Sequence, residues 1–156
     1  MERDLAAARM HASWIVLTTH RPIFSSDSFE HEQHIPGSVI PTHLEPLFLK
    51  YKVDLVVTGH CHFYERIYPS VNGTVMIPTP SDVYINPNAT CYVVQGTGGA
   101  YGSDEPTSPQ PSWSAVRVSH LYGVGVLDAN TTHLIYRFLL EKDDTVFDQF
   151  TIVKAR

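Results

Sequence analysis

The sequence has little cysteine: Cys61 and Cys91 are the only two in 156 residues. Two thiols cannot make the disulfide scaffold of a small secreted domain. Charge is also sparse. Only 17% of residues are charged, and 11 basic against 16 acidic residues leave a net charge of −5 with no basic block. Binding to nucleic acid through a charged face needs clustered Lys and Arg, so no nucleic-acid partner is expected. No apolar run approaches the ~20 residues that cross a bilayer, so no membrane partner is expected either. Residues Met1 to Met10 lack a basic region followed by a long apolar stretch, and do not read as a signal peptide.

What is present is the material of a core. The chain is 43% hydrophobic and 11% aromatic, which argues against disorder and for one globular domain or most of one. Three glycosylation triplets occur, Asn72-Gly73-Thr74, Asn88-Ala89-Thr90 and Asn130-Thr131-Thr132. Such triplets also arise by chance, yet three in a short chain lean towards a secretory ancestry.

The first 62 residues alternate between helical and strand patterns. An Ala-rich amphipathic helix is predicted over 2–11. Trp14-Ile15-Val16-Leu17-Thr18 reads as a strand buried on both faces. Pro, Gly, Ser and Asp make 21–41 a long loop, of a length that is functional or disordered. Thr42-His43-Leu44-Glu45 matches a capping box, with Pro46 in the first turn and Leu44, Leu47, Phe48 and Tyr51 as the apolar stripe. Val53 to Thr58 is a second buried strand. This alternation implies a parallel sheet with crossover helices. Later come a hairpin at Asn72-Gly73, loops over 78–88 and 101–112, and a strand over 91–95. Three further strands are predicted over 122–127, 133–140 and 145–153.

His20, and the pair His60 and His62, sit just past the C-terminal ends of the two buried strands, the edge where open α/β sheets bind ligands. If the strands are neighbours, three imidazoles converge across a 40-residue separation, a donor set for zinc, iron, nickel or copper. Residues i and i+2 share a side only in extended backbone, so His60 and His62 can also splay towards two ions. Gly59 is expected to supply an unusual backbone angle there. The glycines at 96, 98 and 99 read as a strand-end loop rather than a phosphate cradle, because no helix pattern follows them.

Several segments strongly resemble the purple acid phosphatases, members of the calcineurin-like metallophosphoesterases. They are Trp14 to Pro22, Tyr51 to His62 with its Gly-His-x-His, Tyr64-Glu65-Arg66, Tyr92 to Gly99, Tyr122-Gly123-Val124-Gly125, Asn130 to Leu134 and Phe147 to Val153. The resemblance covers nearly the whole chain and implies an α/β fold. That fold is the C-terminal half of a metallophosphoesterase β-sandwich with flanking helices (1–66), followed by a strand-rich C-terminal region (67–156).

By resemblance, His20 and His60 bind the divalent ion (zinc, manganese or iron) and His62 binds the ferric ion of a dinuclear centre. The implied activity is hydrolysis of phosphomonoesters at acidic pH. The family's other motifs, Gly-Asp-x-Gly, Gly-Asp-x-x-Tyr and Gly-Asn-His, do not occur in these residues. Four of seven metal ligands are thereby missing, and the chain reads as a fragment that begins inside a crossover helix. The alternatives are a non-catalytic truncated remnant and a single-metal histidine module. His31 and then His34 are candidates for the histidine that contacts phosphate or protonates the leaving group, and Arg21 for a phosphate contact. The resemblance further implies a secreted or vacuolar/lysosomal glycoprotein.

Overall fold

The Ala-rich opening forms helix α1 (Glu2–His11), with acidic residues in its first turn and basic ones in its last, as the helix dipole favours. The computed structural model of the chain describes residues 1–79, 81–100 and 104–155. After α1 come strand β1 (Val16–Thr19), a long connection with a 3₁₀ turn at His31–Gln33, helix α2 (Val39–Lys50) and strand β2 (Leu55–Thr58). The two strands pair in parallel, Thr19 opposite Thr58, and α2 is the crossover between them. The remaining strands are β3 (Tyr64–Val71), β4 (Thr74–Val75), β5 (Val83–Ile85), β6 (Thr90–Gln95), β7 (Ser114–Val118), β8 (Gly123–Ala129), β9 (His133–Leu140) and β10 (Val146–Val153).

They form two sheets. The first runs β1-β2-β6-β3-β4, with β7 also on β3, and the second runs β5-β10-β9-β8. In the first sheet β6 continues the parallel set beside β2, and β3 turns antiparallel. Strand β6 alternates between two cores, as the two-residue period requires. Tyr92 and Val94 face α1 and α2, packing with Phe24, Phe48 and Val56. Cys91 and Val93 face the second sheet, packing with Tyr84, Leu134, Tyr136, Phe138 and Phe150. A strand buried on both faces by helices on one side and a sheet on the other makes an α/β sandwich, as the resemblance implied.

Local readings differ from the structure at several points. Helix α2 starts at Val39 with Ser38 before it, so Thr42 lies inside the helix and Pro46 in its interior. The expected cap partner, Glu45, is buried and accepts the Asn72 backbone N–H at 3.0 Å instead. A tertiary acceptor role outweighed the local one. The 21–41 connection is not a solvated loop throughout, because every residue from 22 to 27 is buried. Strand β5, inside the loop read over 78–88, and strand β7 were missed. Parts of the two loop readings, Pro80 and residues 101–103, lie outside the described residues. The Asn72-Gly73 hairpin holds, with φ of 46° and 76° at the two turn residues.

Candidate metal centre

The parallel register brings the ends of β1 and β2 together. His20 and Gly59 follow the paired Thr19 and Thr58, and the Gly59 N–H donates to the His20 carbonyl at 3.1 Å. The chain then turns sharply. Cys61 N–H bonds back to the Gly59 carbonyl and Phe63 N–H to the Cys61 carbonyl, each at 2.9 Å. These are two successive γ-turns, centred on His60 and His62. His60 has φ of 70°, the rare and strained form for a residue with a side chain. The positive angle therefore falls on His60 and not on Gly59, which corrects the sequence expectation.

The glycine that permits the turn is Gly96, at the end of β6. A Cβ there would lie 1.9 Å from the Cys61 carbonyl oxygen and 3.1 Å from the His62 Cα. Only a residue without a side chain lets the γ-turns pack on the β6 end.

The result is a pair of facing imidazoles. His60 Nδ1 lies 3.1 Å from His20 Nε2, with ring centroids 5.0 Å apart and nearly perpendicular. Two nitrogens on one tetrahedral ion at ~2.0–2.1 Å sit roughly 3.3–3.4 Å apart, so the pair fits a shared ion with a shift of a few tenths of an ångström. On its other nitrogen, His60 Nε2 meets Glu30 Oε2 at 2.7 Å. The same oxygen takes Arg21 at 2.7 Å and lies 3.6 Å from His34 Nε2.

His34 is fully buried. Its Nδ1 faces the Pro22 carbonyl at 2.9 Å, so Nδ1 carries the proton and Nε2 offers a lone pair. That buried Nε2 has no hydrogen-bond partner. Burial holds the His34 pKa below its usual value, against the pull of the Pro22 carbonyl and Glu30. Glu30, in turn, is held below the usual carboxylate range by its bond to His60 and by Arg21. An orphaned imidazole lone pair beside a carboxylate and two facing imidazoles is a donor set that suits a transition-metal cation.

The predicted site residues fall into three groups. His20 and His60 are brought together, and His34 lies beside them, its ring 6.4 Å from that of His60. His62 is partly exposed in the next turn, and its backbone N–H donates to Asp104 Oδ2 at 2.8 Å. His31 starts the 3₁₀ turn, with its Nδ1 buried and unpartnered. Glu30 was missed, because a single acid in a polar loop has no periodicity. Its one sequence signal is the four-residue spacing to His34. Arg21 points to Glu30 and Gln33, the latter at 3.2 Å.

The floor of the site is tied to β3. Glu65, wholly buried, accepts the Ser26 N–H at 2.8 Å and the Ser114 hydroxyl at 2.6 Å. Burial raises its pKa, while these donors lower it. Tyr64 turns away into the second core and donates to Asp148 at 2.7 Å. At the opposite, N-terminal end of the parallel strands, a cleft of about 420 Å³ is lined by Arg9, Lys52, Asp54, Asn88 and Lys154 among others. Two of its cations are held by Asp54, Lys154 at 2.7 Å and Arg9 at 3.8 Å, and none of the histidines lines it.

A family model described as "Iron/zinc purple acid phosphatase-like protein C" matches residues 89–149, a span that contains none of these site histidines. The chain is 33% identical over 150 residues to a barley (Hordeum vulgare) nucleotide pyrophosphatase/phosphodiesterase, covering 92% of this chain and 39% of the relative. It is 31% identical over 161 residues to zebrafish (Danio rerio) acid phosphatase type 7, covering 95% and 36%. Against Arabidopsis thaliana "Probable inactive purple acid phosphatase 1" it is 33% identical over 158 residues, covering 99% and 25%. Among solved structures, a purple acid phosphatase from yellow lupin (Lupinus luteus) seeds superposes with a TM-score of 0.86 at 30% identity, over 98% of this chain and 27% of that one. The chain thus spans between a quarter and two fifths of the length of the relatives just described.

Proposed function

Since the chain belongs to the purple acid phosphatase family and matches its C-terminal part, we propose that it supplies the His20–His60 side of the metal centre of a phosphomonoester hydrolase. The observation that carries this is the 3.1 Å approach of His20 Nε2 to His60 Nδ1 at adjoining strand ends. His20 and His60 hold a divalent ion (zinc, manganese or iron), and His62 in the following turn serves a ferric neighbour. When bound, such ions polarise a phosphoryl oxygen as Lewis acids. The chain's own residues do the rest. Arg21, steadied by Glu30 and Gln33, offers a cation to a phosphate oxygen at the rim. His34 presents a lone pair from a fixed tautomer, and His31 starts the 3₁₀ turn of the same connection.

The asparagines of the triplets at Asn72, Asn88 and Asn130 are exposed, although Ala89 and Thr90 of the second are buried, and they support a place in the secretory pathway, extracellular or vacuolar/lysosomal. Among the described residues no helix is long and apolar enough to cross a membrane.

One observation favours a second reading, a single-ion module without hydrolysis. Glu30 Oε2 stands 2.7 Å from His60 Nε2 and 3.6 Å from His34 Nε2, so these residues alone furnish a donor set for one cation. The relative named as a probable inactive phosphatase keeps that reading in view. The test is to load the 156-residue chain with iron and zinc, count bound metal, and assay an aryl phosphate. The expected result is metal bound in a His60-dependent way with little or no turnover, because the motifs that by resemblance would supply the bridging aspartate do not occur in these residues. No His60-dependent metal at all would overturn both readings. Robust hydrolysis abolished by His60→Ala would overturn the second.

A further inference from the structure

Directly behind the His60 turn, a different set of donors converges. One ligand atom each from Asp27, Cys61 and Asp104 lies within 4.8 Å of the others. Asp27 and Cys61 are each only 1% exposed. Three segments distant in sequence hold them in place. Cys61 sits between the two γ-turns. Asp27 is fixed by its N–H bond to Ser25 Oγ at 3.1 Å and by accepting the Glu30 N–H on Oδ2 at 2.9 Å. Asp104 Oδ2 accepts the His62 N–H at 2.8 Å.

The independent pointer to a ligand is Asp27 Oδ1. It is buried and has no hydrogen-bond partner, although the Asp104 carboxylate and the Cys61 sulfur lie beside it. A buried carboxylate oxygen without a donor costs free energy, and a second acid beside it adds to the cost, while the Cys61 sulfur accepts from Ser25 Oγ at 3.8 Å. A cation at that oxygen removes the deficit and offsets the repulsion of the neighbouring acid. A thiol and two carboxylates near enough to share one ion suit zinc better than calcium or magnesium, which take oxygen donors.

The geometry points to a second cation site, formed by Asp27, Cys61 and Asp104, that binds a zinc-like divalent ion next to the histidine centre. On binding, the Cys61 S–H bond breaks, the proton goes to solvent and an S–metal bond forms, with no redox change. Because Cys61 lies between His60 and His62, an ion there would brace the turn that aims both imidazoles. This inference does not depend on the phosphatase reading.

The test uses the full chain loaded with zinc, and with cobalt(II) as a spectroscopic substitute. X-ray absorption of the zinc form should show one sulfur neighbour at about 2.3 Å. The cobalt form should show a sulfur-to-cobalt charge-transfer band in the near ultraviolet. Cys61→Ala should remove both signals and one equivalent of metal, and Asp27→Asn should weaken binding about tenfold or more. His60→Ala should leave the sulfur signal in place, which separates this site from failure of the histidine centre. A sulfur-free zinc environment in the wild-type chain would overturn the site, as would a sulfur signal that survives Cys61→Ala or binding unchanged in Asp27→Asn. Should Cys61→Ala fail to fold, the wild-type spectrum and Asp27→Asn still decide. A proton shared by the two carboxylates, with no metal bound, gives the sulfur-free outcome.

Discussion

Two polar clusters in this molecule, one around Arg66 and one around His60, end in opposite states. Around Arg66, every group finds a partner. The guanidinium grips Asp148 in two places, at 2.8 Å and 3.0 Å, and also reaches Tyr84 and Asp82, at 2.5 Å and 2.7 Å. Tyr64 completes the set through Asp148. Around His60, donors and acceptors are mismatched: lone pairs on His34 and Asp27 face other acceptors with no hydrogen between them. Burial alone does not distinguish the clusters, since Arg66 and His34 are both almost inaccessible. Satisfaction does. A closed network holds the two sheets together, whereas the open one keeps lone pairs that no protein donor meets.

The comparison breaks first if the closed network proves dispensable. Asp148→Ala leaves Arg66 buried without its main counter-ion, and should cost about 3–5 kcal/mol in urea unfolding, enough to unfold a marginal domain. A loss under ~1 kcal/mol would mean that solvent reaches Arg66 and that the network is not closed.

The open cluster should behave the other way. His60→Ala should lower zinc affinity by about 100-fold, roughly 2.8 kcal/mol by calorimetric titration. The melting temperature of the metal-free chain should change little, because His60 is partly exposed and strained at φ 70°. Equal losses of stability at His60 and Asp148 would erase the distinction.

Gly96→Ala probes the seam between the clusters. Its Cβ would strike the Cys61 carbonyl at 1.9 Å, backbone that cannot yield as a side chain would. The expected cost is about 1–3 kcal/mol in chemical denaturation, together with loss of metal binding as the γ-turns shift. Binding retained at wild-type affinity would show that the turn tolerates displacement.

The smallest effect concerns pH. His34 has its folded pKa lowered, mainly by burial, so the unfolded chain takes up a proton first as pH falls. Its contribution to stability is complete above about pH 6.5 and is lost as pH drops below that value towards the folded pKa. Melting temperatures measured from pH 7.5 to 5 should therefore decline, and His34→Leu should flatten the decline. A slope unchanged in His34→Leu would place the proton uptake elsewhere.

The alternation of helical and strand patterns in the first 62 residues was enough to reveal the parallel pair, its crossover helix and the strand ends that carry His20 and His60. Those signals are periodic and local. Glu30, Asp27 and Asp104 were not legible, because isolated acids in polar segments carry no period, and their meaning comes from which atoms lie opposite them. Strand β5 escaped notice for a related reason. It is three residues long and pairs with β10, more than 60 positions later. Glu45 carried a misleading local signal, since its capping spacing gave way to a bond with Asn72 on another element.

Composition, periodicity and the Gly-His-Cys-His run by themselves determined the α/β class, the resemblance to purple acid phosphatases and the pair of strand ends that carry the candidate ligands. Each depends on spacing along the chain, which sequence records directly. The tertiary structure alone decided that the positive backbone angle falls on His60, that Gly96 is the residue the turn cannot replace, and that His34 points an unpaired lone pair at Glu30. It alone set Asp27, Cys61 and Asp104 side by side. Those are facts of distance between residues remote in sequence, fixed by how two sheets and a buried connection pack, and no local pattern encodes them.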